Sequence, residues 1–142
     1  MRKSNARAGW QGDLKDGSGN MELGSGAFSG AFSFGTRFGS EGGTNPEELI
    51  GAALAGCFSM ALANGLSEDG HVPDSIDTKA EVSFGMVDGT PTVQGIHLNV
   101  EGKVPGLEQD AFAAKAEEIR TACPVSRALA GTEITVDARL AG

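Results

Sequence analysis

Residues 45–62, NPEELIGAALAGCFSMAL, decide the fold of this chain. Asn45 is a good N-cap, Pro46 suits the first helical position, and Glu48 lies three residues after the cap, so a helix is predicted to begin here and to continue to Leu66. Apolar side chains cover its whole circumference, which is typical of a buried helix. A rod of roughly 30 Å is long for a small domain to enclose. We therefore expect two subunits to share it.

Short segments precede and follow this helix. The glycine-broken stretch Ser4–Phe38 predicts an antiparallel meander, and its last strand is expected over Gly30–Phe38, where phenylalanine alternates with small residues. After the helix, the segments Asp77–Val87 and Thr92–Val104 each alternate apolar and polar residues. Because the turn pair Asp88-Gly89 joins them, they predict a hairpin with one solvent-exposed face.

The rest of the chain predicts two helices and a strand. Leu107–Ala122 is amphipathic and is stopped by Pro124, the segment Pro124–Ala130 predicts a short helix, and Glu133–Leu140 predicts the closing strand. This order indicates an α+β fold with mostly antiparallel pairing, in one domain over residues 1–142. No crossover connection typical of a parallel sheet is predicted.

Composition and charge exclude several classes of partner. The net charge of −8 has the wrong sign for a phosphate backbone, so no nucleic-acid partner is expected. The first residues carry basic side chains but no apolar stretch long enough for a secretory signal. No window is expected to approach the roughly 18 apolar residues of a membrane span, so no segment is expected to cross a membrane. We therefore expect a cytoplasmic protein.

Motifs for cofactors and metals are also absent from the sequence. The glycines around Gly24 and Gly26 form neither a Walker motif nor a dinucleotide fingerprint, so no cofactor is predicted. His71 and His97 would supply zinc ligands together with the two cysteines, but none of these residues are closely spaced. No metal site is predicted.

The two cysteines, Cys57 and Cys123, are the main candidates for chemistry. Cys57 lies among apolar neighbours in the middle of the predicted helix, where a cysteine is often inert packing. Cys123 precedes Pro124 at the start of the short helix, where backbone N–H groups favour a thiolate. Local physics alone therefore favours Cys123 as the more acidic thiol and leaves the role of Cys57 open.

The segment 45–62, followed 66 residues after its cysteine by the CPVSRAL segment Cys123–Leu129, resembles the OsmC/Ohr family of organic hydroperoxide reductases, and the OsmC branch most closely. The resemblance covers nearly the whole chain. It implies an OsmC-like fold, an intertwined homodimer, and reduction of organic hydroperoxides at the expense of a dithiol such as a lipoylated protein, in defence against oxidative or osmotic stress. It also implies that Cys57 is the peroxidatic and Cys123 the resolving cysteine, with Arg37 and Glu47 as ionic partners of the reactive thiol.

The physics of a thiol in the middle of a helix agrees with these roles. Apolar burial raises a thiol pKa, so activation requires a cation, and a guanidinium such as that of Arg37 can hold a thiolate and a carboxylate together. Taken alone, Arg37 would be a solvated strand-end charge and Glu47 a first-turn acid that complements the helix dipole. Ten helical residues, roughly 15 Å of rise, separate Glu47 from Cys57. If both belong to one site, Glu47 is expected to come from the second subunit.

Two other functions remain open on the sequence. The protein would be a non-catalytic dimeric binding or stress protein if the cysteines only pack and an apolar cleft holds a ligand. A general thiol oxidoreductase is disfavoured by the absence of a Cys-x-x-Cys motif. Four phenylalanines are candidates for lining an apolar channel: Phe32, Phe34, Phe38 and Phe58.

Overall fold

The computed structural model describes residues 1–141, and the chain forms two compact units, residues 1–49 and 50–142. The first unit contains β1 (Ala6–Gln11), β2 (Ser18–Leu23), β3 (Ser29–Phe32) and α1 (Phe34–Phe38). The second contains β4 (Ser75–Val87), β5 (Thr90–Lys103), α3 (Gln109–Ile119), α4 (Pro124–Ala128) and β6 (Ile134–Leu140). Helix α2 (Pro46–Glu68) begins in the first unit and continues into the second. The predicted α+β class is confirmed; a single domain over residues 1–142 stays a prediction.

The first unit is built on the predicted antiparallel meander. Strand β2 pairs with both β1 and β3. The prediction that residues 30–38 form one strand was wrong, because the strand ends at Phe32 and α1 begins at Phe34. Ser33 starts this helix with a capping box: the Thr36 N–H donates to Ser33 Oγ over 3.3 Å, and the Ser33 N–H donates to Thr36 Oγ1 over 2.8 Å. Phe34 and Phe38, four residues apart, then stack at a centroid distance of 4.7 Å.

Helix α2 begins where the sequence predicts. The Glu48 N–H donates to Asn45 Oδ1 over 2.8 Å, which is the expected N-cap bond. The Glu48 side chain does not return to Asn45 but accepts from Thr44 Oγ1 over 2.8 Å. Asn45 also donates through Nδ2 to the Thr36 carbonyl over 3.1 Å, so one side chain ties the start of α2 to α1.

Burial of α2 is one-sided, which differs from the predicted burial all round. A row at four-residue spacing is fully buried: Leu54, Phe58, Leu62 and Leu66. A second row of small or flexible residues is exposed within one chain, and its members are Ala52, Ala53, Gly56 and Met60. Met60 is 76% exposed. The helix also has the length and mean hydropathy, 1.7, of a membrane span, so the expectation that no segment is apolar enough for one was wrong; here the helix contributes its buried row to a core.

The second unit is a three-stranded sheet with strand order β4-β5-β6. β4 and β5 form the predicted hairpin, whose two-residue turn has positive φ at Asp88 (50°) and Gly89 (78°). β6 pairs parallel to β5, contrary to the expectation that no parallel crossover exists. Parallel neighbours need a long connection between them, and the segment that contains α3 and α4 supplies it.

One hydrophobic core fills the second unit. Helices α2 and α3 contribute apolar side chains, and β5 contributes the alternating residues Ile96, Leu98 and Val100. Phe112 of α3 is fully buried, and Gly102 of β5 gives it room: a Cβ at Gly102 would lie 2.5 Å from Phe112 Cζ. The close approach of ring and strand therefore requires glycine at position 102.

Replacing Gly102 by alanine is expected to destabilise the protein by roughly 1–3 kcal/mol, because the buried ring of Phe112 must shift. The control is Gly131→Ala, since a Cβ there meets no atom within 4 Å, and its free energy of unfolding should stay within about 0.5 kcal/mol of the parent. Urea unfolding of both variants measures the difference. Equal midpoints for the two variants would contradict this account of the core.

Candidate active site

The two cysteines lie together in the second unit, and both are free thiols. Cys57 lies near the middle of α2 and is half-buried, whereas Cys123 is 2% exposed and is the N-cap of α4. The extended backbone of Cys123 is what a residue before proline adopts, and Pro124 fills the first position of the helix. The sequence Cys-Pro thus places Cys123 at the helix start, as predicted.

Burial, Val125 and Cys123 set the pKa of Cys57. Burial raises the pKa of its thiol most strongly, the hydrogen bond from the Val125 N–H lowers it, and Cys123 raises it again through both hydrogen bonding and charge repulsion. The Val125 N–H donates to Cys57 Sγ over 3.4 Å. The net direction is upward, so the second unit by itself favours a neutral Cys57, and forming the thiolate requires a cation from elsewhere.

Cys123 has two contacts with one residue, Ser126. The Ser126 N–H donates to Cys123 Sγ over 3.4 Å, which caps α4, and Ser126 Oγ lies 3.0 Å from the same sulfur. Ser126 is itself buried, with 4% exposure. Sequence reasoning missed this residue; the available signal was its position three residues after the N-cap, where a side chain faces the cap.

Arg37 and Glu47 form an ion pair in the first unit. Arg37, in α1, donates to Glu47 Oε1 through Nε over 3.1 Å and through Nη2 over 2.7 Å. Glu47 is 6% exposed, whereas 38% of the Arg37 side chain is exposed. A buried carboxylate is costly unless it is paired, so Glu47 fixes the position of a guanidinium that still reaches the surface.

An apolar cavity of about 300 Å³ adjoins Arg37 in the same unit. Its wall combines aromatic and aliphatic side chains with two polar residues: Trp10, Leu14, Phe32, Phe34, Phe38, Ser33 and Arg37. Three of the four phenylalanines proposed as a channel lining are among them. The prediction was wrong for Phe58, which is fully buried in the core of the second unit.

The structure therefore brings Arg37 to Glu47 and Cys57 to Cys123. The catalytic roles of these four residues stay predictions. His97 was considered as a zinc ligand. Its Nδ1 lies 2.6 Å from Thr135 Oγ1 and its Nε2 lies 3.1 Å from Asp137 Oδ2. Within residues 1–141, no group of three or more His, Cys, Asp or Glu side chains is arranged to hold a metal ion.

The arrangement of each unit permits a distinct piece of chemistry. Cys57 accepts a hydrogen bond from Val125, two residues after Cys123, so the two thiols are candidates for a disulfide. An arginine held by a buried carboxylate can stabilise a thiolate or a developing alkoxide. The apolar cavity beside Arg37 suits the organic part of a small molecule.

Comparison with known proteins assigns the chain to a family. Residues 39–139 match the family described as OsmC-like protein. The chain is 46% identical over 135 residues to peroxiredoxin OsmC of Escherichia coli, covering 94% of each chain. It is 29% identical over 90 residues to the organic hydroperoxide resistance protein of Xanthomonas axonopodis, which is 63% of this chain and 61% of that one.

A solved structure shows the same fold. The organic hydroperoxide resistance protein OhrB of Bacillus subtilis superposes with a TM-score of 0.72 at 23% identity, covering 96% of this chain and 98% of the other. The match to the family, the identity across nearly the full length and the shared fold lead to one conclusion. The chain belongs to the family of OsmC-like proteins.

Proposed function

We propose that this protein is a thiol-based peroxidase that detoxifies hydroperoxides, organic ones above all, in cytoplasmic defence against oxidative and osmotic stress. The observation that carries the proposal is the 3.4 Å hydrogen bond from the Val125 N–H to Cys57 Sγ, which places Cys57 beside the turn that begins at Cys123. A relative that is 46% identical over 94% of the chain is named a peroxiredoxin, and a second is named for organic hydroperoxide resistance. Both names are consistent with a chain that holds two neighbouring cysteines.

The first chemical step takes place at Cys57. Its thiolate attacks the terminal oxygen of the hydroperoxide, the O–O bond breaks, and the alkoxide leaves and takes up the proton that the thiol gave up. The products are an alcohol and a sulfenic acid on Cys57. Because burial raises the pKa of Cys57, this step needs a cation, and Arg37 is the residue we assign to it.

The second step joins the two cysteines. The Cys123 thiol attacks the sulfenic sulfur of Cys57, the S–O bond breaks, and water leaves, so that a Cys57–Cys123 disulfide forms. An external dithiol, of which a lipoylated protein is one example, then reduces this disulfide and is itself oxidised. The cycle needs no metal or cofactor, and the electrons come from that dithiol.

The apolar cavity of the first unit supports the proposed preference for organic hydroperoxides. Its aromatic wall, formed by Trp10, Phe32, Phe34 and Phe38, would bury an alkyl or aryl group, while Arg37 at its edge faces the polar peroxide end. A cavity of about 300 Å³ is at the lower end of the range for small-molecule sites. Hydrogen peroxide has no organic group that such a wall could bury.

A homodimer supports the assembly of the complete site. Glu47 and Cys57 lie on the same continuous helix, ten residues apart, and roughly 15 Å of axial rise keeps them from meeting within that helix. Arg37 is bonded to Glu47. We therefore assign the Arg37–Glu47 pair of one subunit to Cys57 of the other, with the exposed row of α2 covered by the second chain.

Mass spectrometry tests the reaction directly. After one equivalent of cumene hydroperoxide, the reduced protein should lose two hydrogen atoms and yield a linked Cys57–Cys123 peptide, because Cys57 lies beside the turn that begins at Cys123. The Cys123→Ser variant should stop at a sulfenic acid on Cys57 that dimedone traps, and Cys57→Ser should not react. A protein that binds cumene hydroperoxide without any cysteine oxidation would instead be the non-catalytic binding protein.

Removal of Arg37 is expected to slow the first step by about 10²–10³-fold. In Arg37→Ala, the midpoint of the pH dependence of Cys57 oxidation should also rise, because burial already raises the pKa of Cys57 and the stabilising cation is gone. Stopped-flow single-turnover oxidation across the pH range measures both effects.

The matched control for this variant is Arg7→Ala. Arg7 also pairs with a glutamate in the first unit, Glu22, but this pair is exposed and separated by 3.5 Å. Its loss should leave the oxidation rate and the pH midpoint unchanged. Equal effects of the two substitutions would remove Arg37 from the mechanism.

Mixed dimers test whether Arg37 acts across the subunit boundary. When Arg37→Ala and Cys57→Ser chains, both inactive alone, are refolded together in equal amounts, half of the dimers carry both kinds of chain. Each such dimer holds one complete site if Arg37 of one subunit serves Cys57 of the other, so about a quarter of the parental activity should return. Activity that stays at the level of the separate variants, in a mixture shown by mass to contain the mixed dimer, would place Arg37 and Cys57 of the same chain in one site.

A further inference from the structure

We propose that Ser126 is a positioning residue for the resolving cysteine, whose hydroxyl holds Cys123 Sγ and stabilises its thiolate while the disulfide forms. The inference rests on the proposed function, since it concerns the second step of that reaction.

The geometry around Ser126 carries the proposal. Its Oγ lies 3.0 Å from Cys123 Sγ, and the residue is 4% exposed. In the described part of the chain, the sulfur is the hydrogen-bond partner that the structure gives to this hydroxyl. A buried hydroxyl that pairs with a thiol makes a weak hydrogen bond in the resting state, and a stronger one once the sulfur is ionised.

Burial of Cys123 explains why such a donor is needed. The residue is 2% exposed, so a thiolate at this position is not stabilised by bulk water and depends on donors from the protein. A serine hydroxyl both donates and accepts. The hydroxyl oxygen can accept a hydrogen bond from the S–H of the resting thiol. Once the sulfur is ionised, the hydroxyl can donate its own O–H to the thiolate, which neither alanine nor glycine can do.

The step itself is balanced without any further reactant. Cys123 loses its proton, the Cys123 thiolate attacks the sulfenic sulfur of Cys57, and the S–O bond breaks as the S–S bond forms. The oxygen leaves with that proton as water. Ser126 is unchanged at the end, and its hydroxyl acts only while the sulfur carries charge.

The backbone of Ser126 also contacts the sulfur, and this contact separates a structural role from the proposed one. The Ser126 N–H donates to Cys123 Sγ over 3.4 Å and caps α4. That bond persists in Ser126→Ala, so a variant that loses only the hydroxyl keeps the helix start. Any change in the chemistry of Cys123 then reports on the Oγ contact.

The experiment follows single turnover of the dimeric protein with one equivalent of cumene hydroperoxide, quenched with dimedone and analysed by mass spectrometry. In Ser126→Ala the sulfenic acid on Cys57 should appear at the parental rate, but disulfide formation should slow by at least about tenfold. The midpoint of its pH dependence should rise, and the sulfinic acid should accumulate when more peroxide is added. Ser126→Thr, which keeps the hydroxyl, should restore the rate and the pH midpoint.

The matched control is Ser59→Ala. Ser59 is a half-buried serine of the same unit whose Oγ hydrogen-bonds to Thr78 Oγ1 over 2.7 Å. Its loss should leave both steps unchanged. If Ser126→Ala does not fold, Ser126→Gly removes the same hydroxyl, and the rate of Cys123 alkylation against pH in the Cys57→Ser background measures the same stabilisation.

The outcomes separate the two proposals. Disulfide formation in Ser126→Ala at the parental rate, with the parental pH midpoint, overturns the role of Ser126 and leaves the peroxidase intact. A parent protein that forms no Cys57–Cys123 disulfide at all overturns the proposed function instead. A slow second step that Ser126→Thr does not restore also counts against the hydroxyl, because it indicates a packing defect.

Discussion

The hydrogen bond from the Val125 N–H to Cys57 Sγ links Cys57 of α2 to the first turn of α4. Burial opposes the Cys57 thiolate, and this N–H is the neighbour that favours it within the second unit. Its position depends on the N-cap of α4, because the same turn directs the next N–H, that of Ser126, to Cys123 Sγ. One short turn thus sets the environment of both sulfurs, and the Cys-Pro sequence at its start fixes where that turn lies.

Helix α2 carries both the carboxylate that binds Arg37 and one of the two thiols. Glu47 lies in its first turn, bonded to Arg37, and Cys57 lies near its middle, in contact with Cys123. Because a helix is rigid over this length, the ion pair and the thiol cannot approach each other by bending α2. The proposed homodimer removes this constraint by placing the Arg37 of a second chain beside Cys57, whose pKa is raised by burial.

The features that could be predicted from the sequence are those set by neighbouring residues. The Asn45-Pro46 start of α2 and the Asp88-Gly89 turn depend on neighbouring residues alone, and both are found. Phe34 and Phe38 misled the strand prediction, because even spacing fits both alternation and the i, i+4 row of a helix. The parallel pairing of β6 is a long-range contact, which no local pattern predicts. Ser126 lies three residues after the N-cap Cys123, but this spacing marks it only once Cys123 is known to be the cap.

Helix α2 has two apolar faces, one buried in the core and one exposed, and the two faces differ in the size of their side chains. Large residues, Leu54, Phe58, Leu62 and Leu66, lie on the row buried in the core of the second unit. Alanine, glycine and the flexible Met60 lie on the exposed row. A membrane span would gain by placing large apolar side chains toward lipid, whereas small side chains let a second helix approach closely. The segregation by size therefore favours a helix that packs against its own sheet on one side and another protein helix on the other, as the proposed homodimer requires.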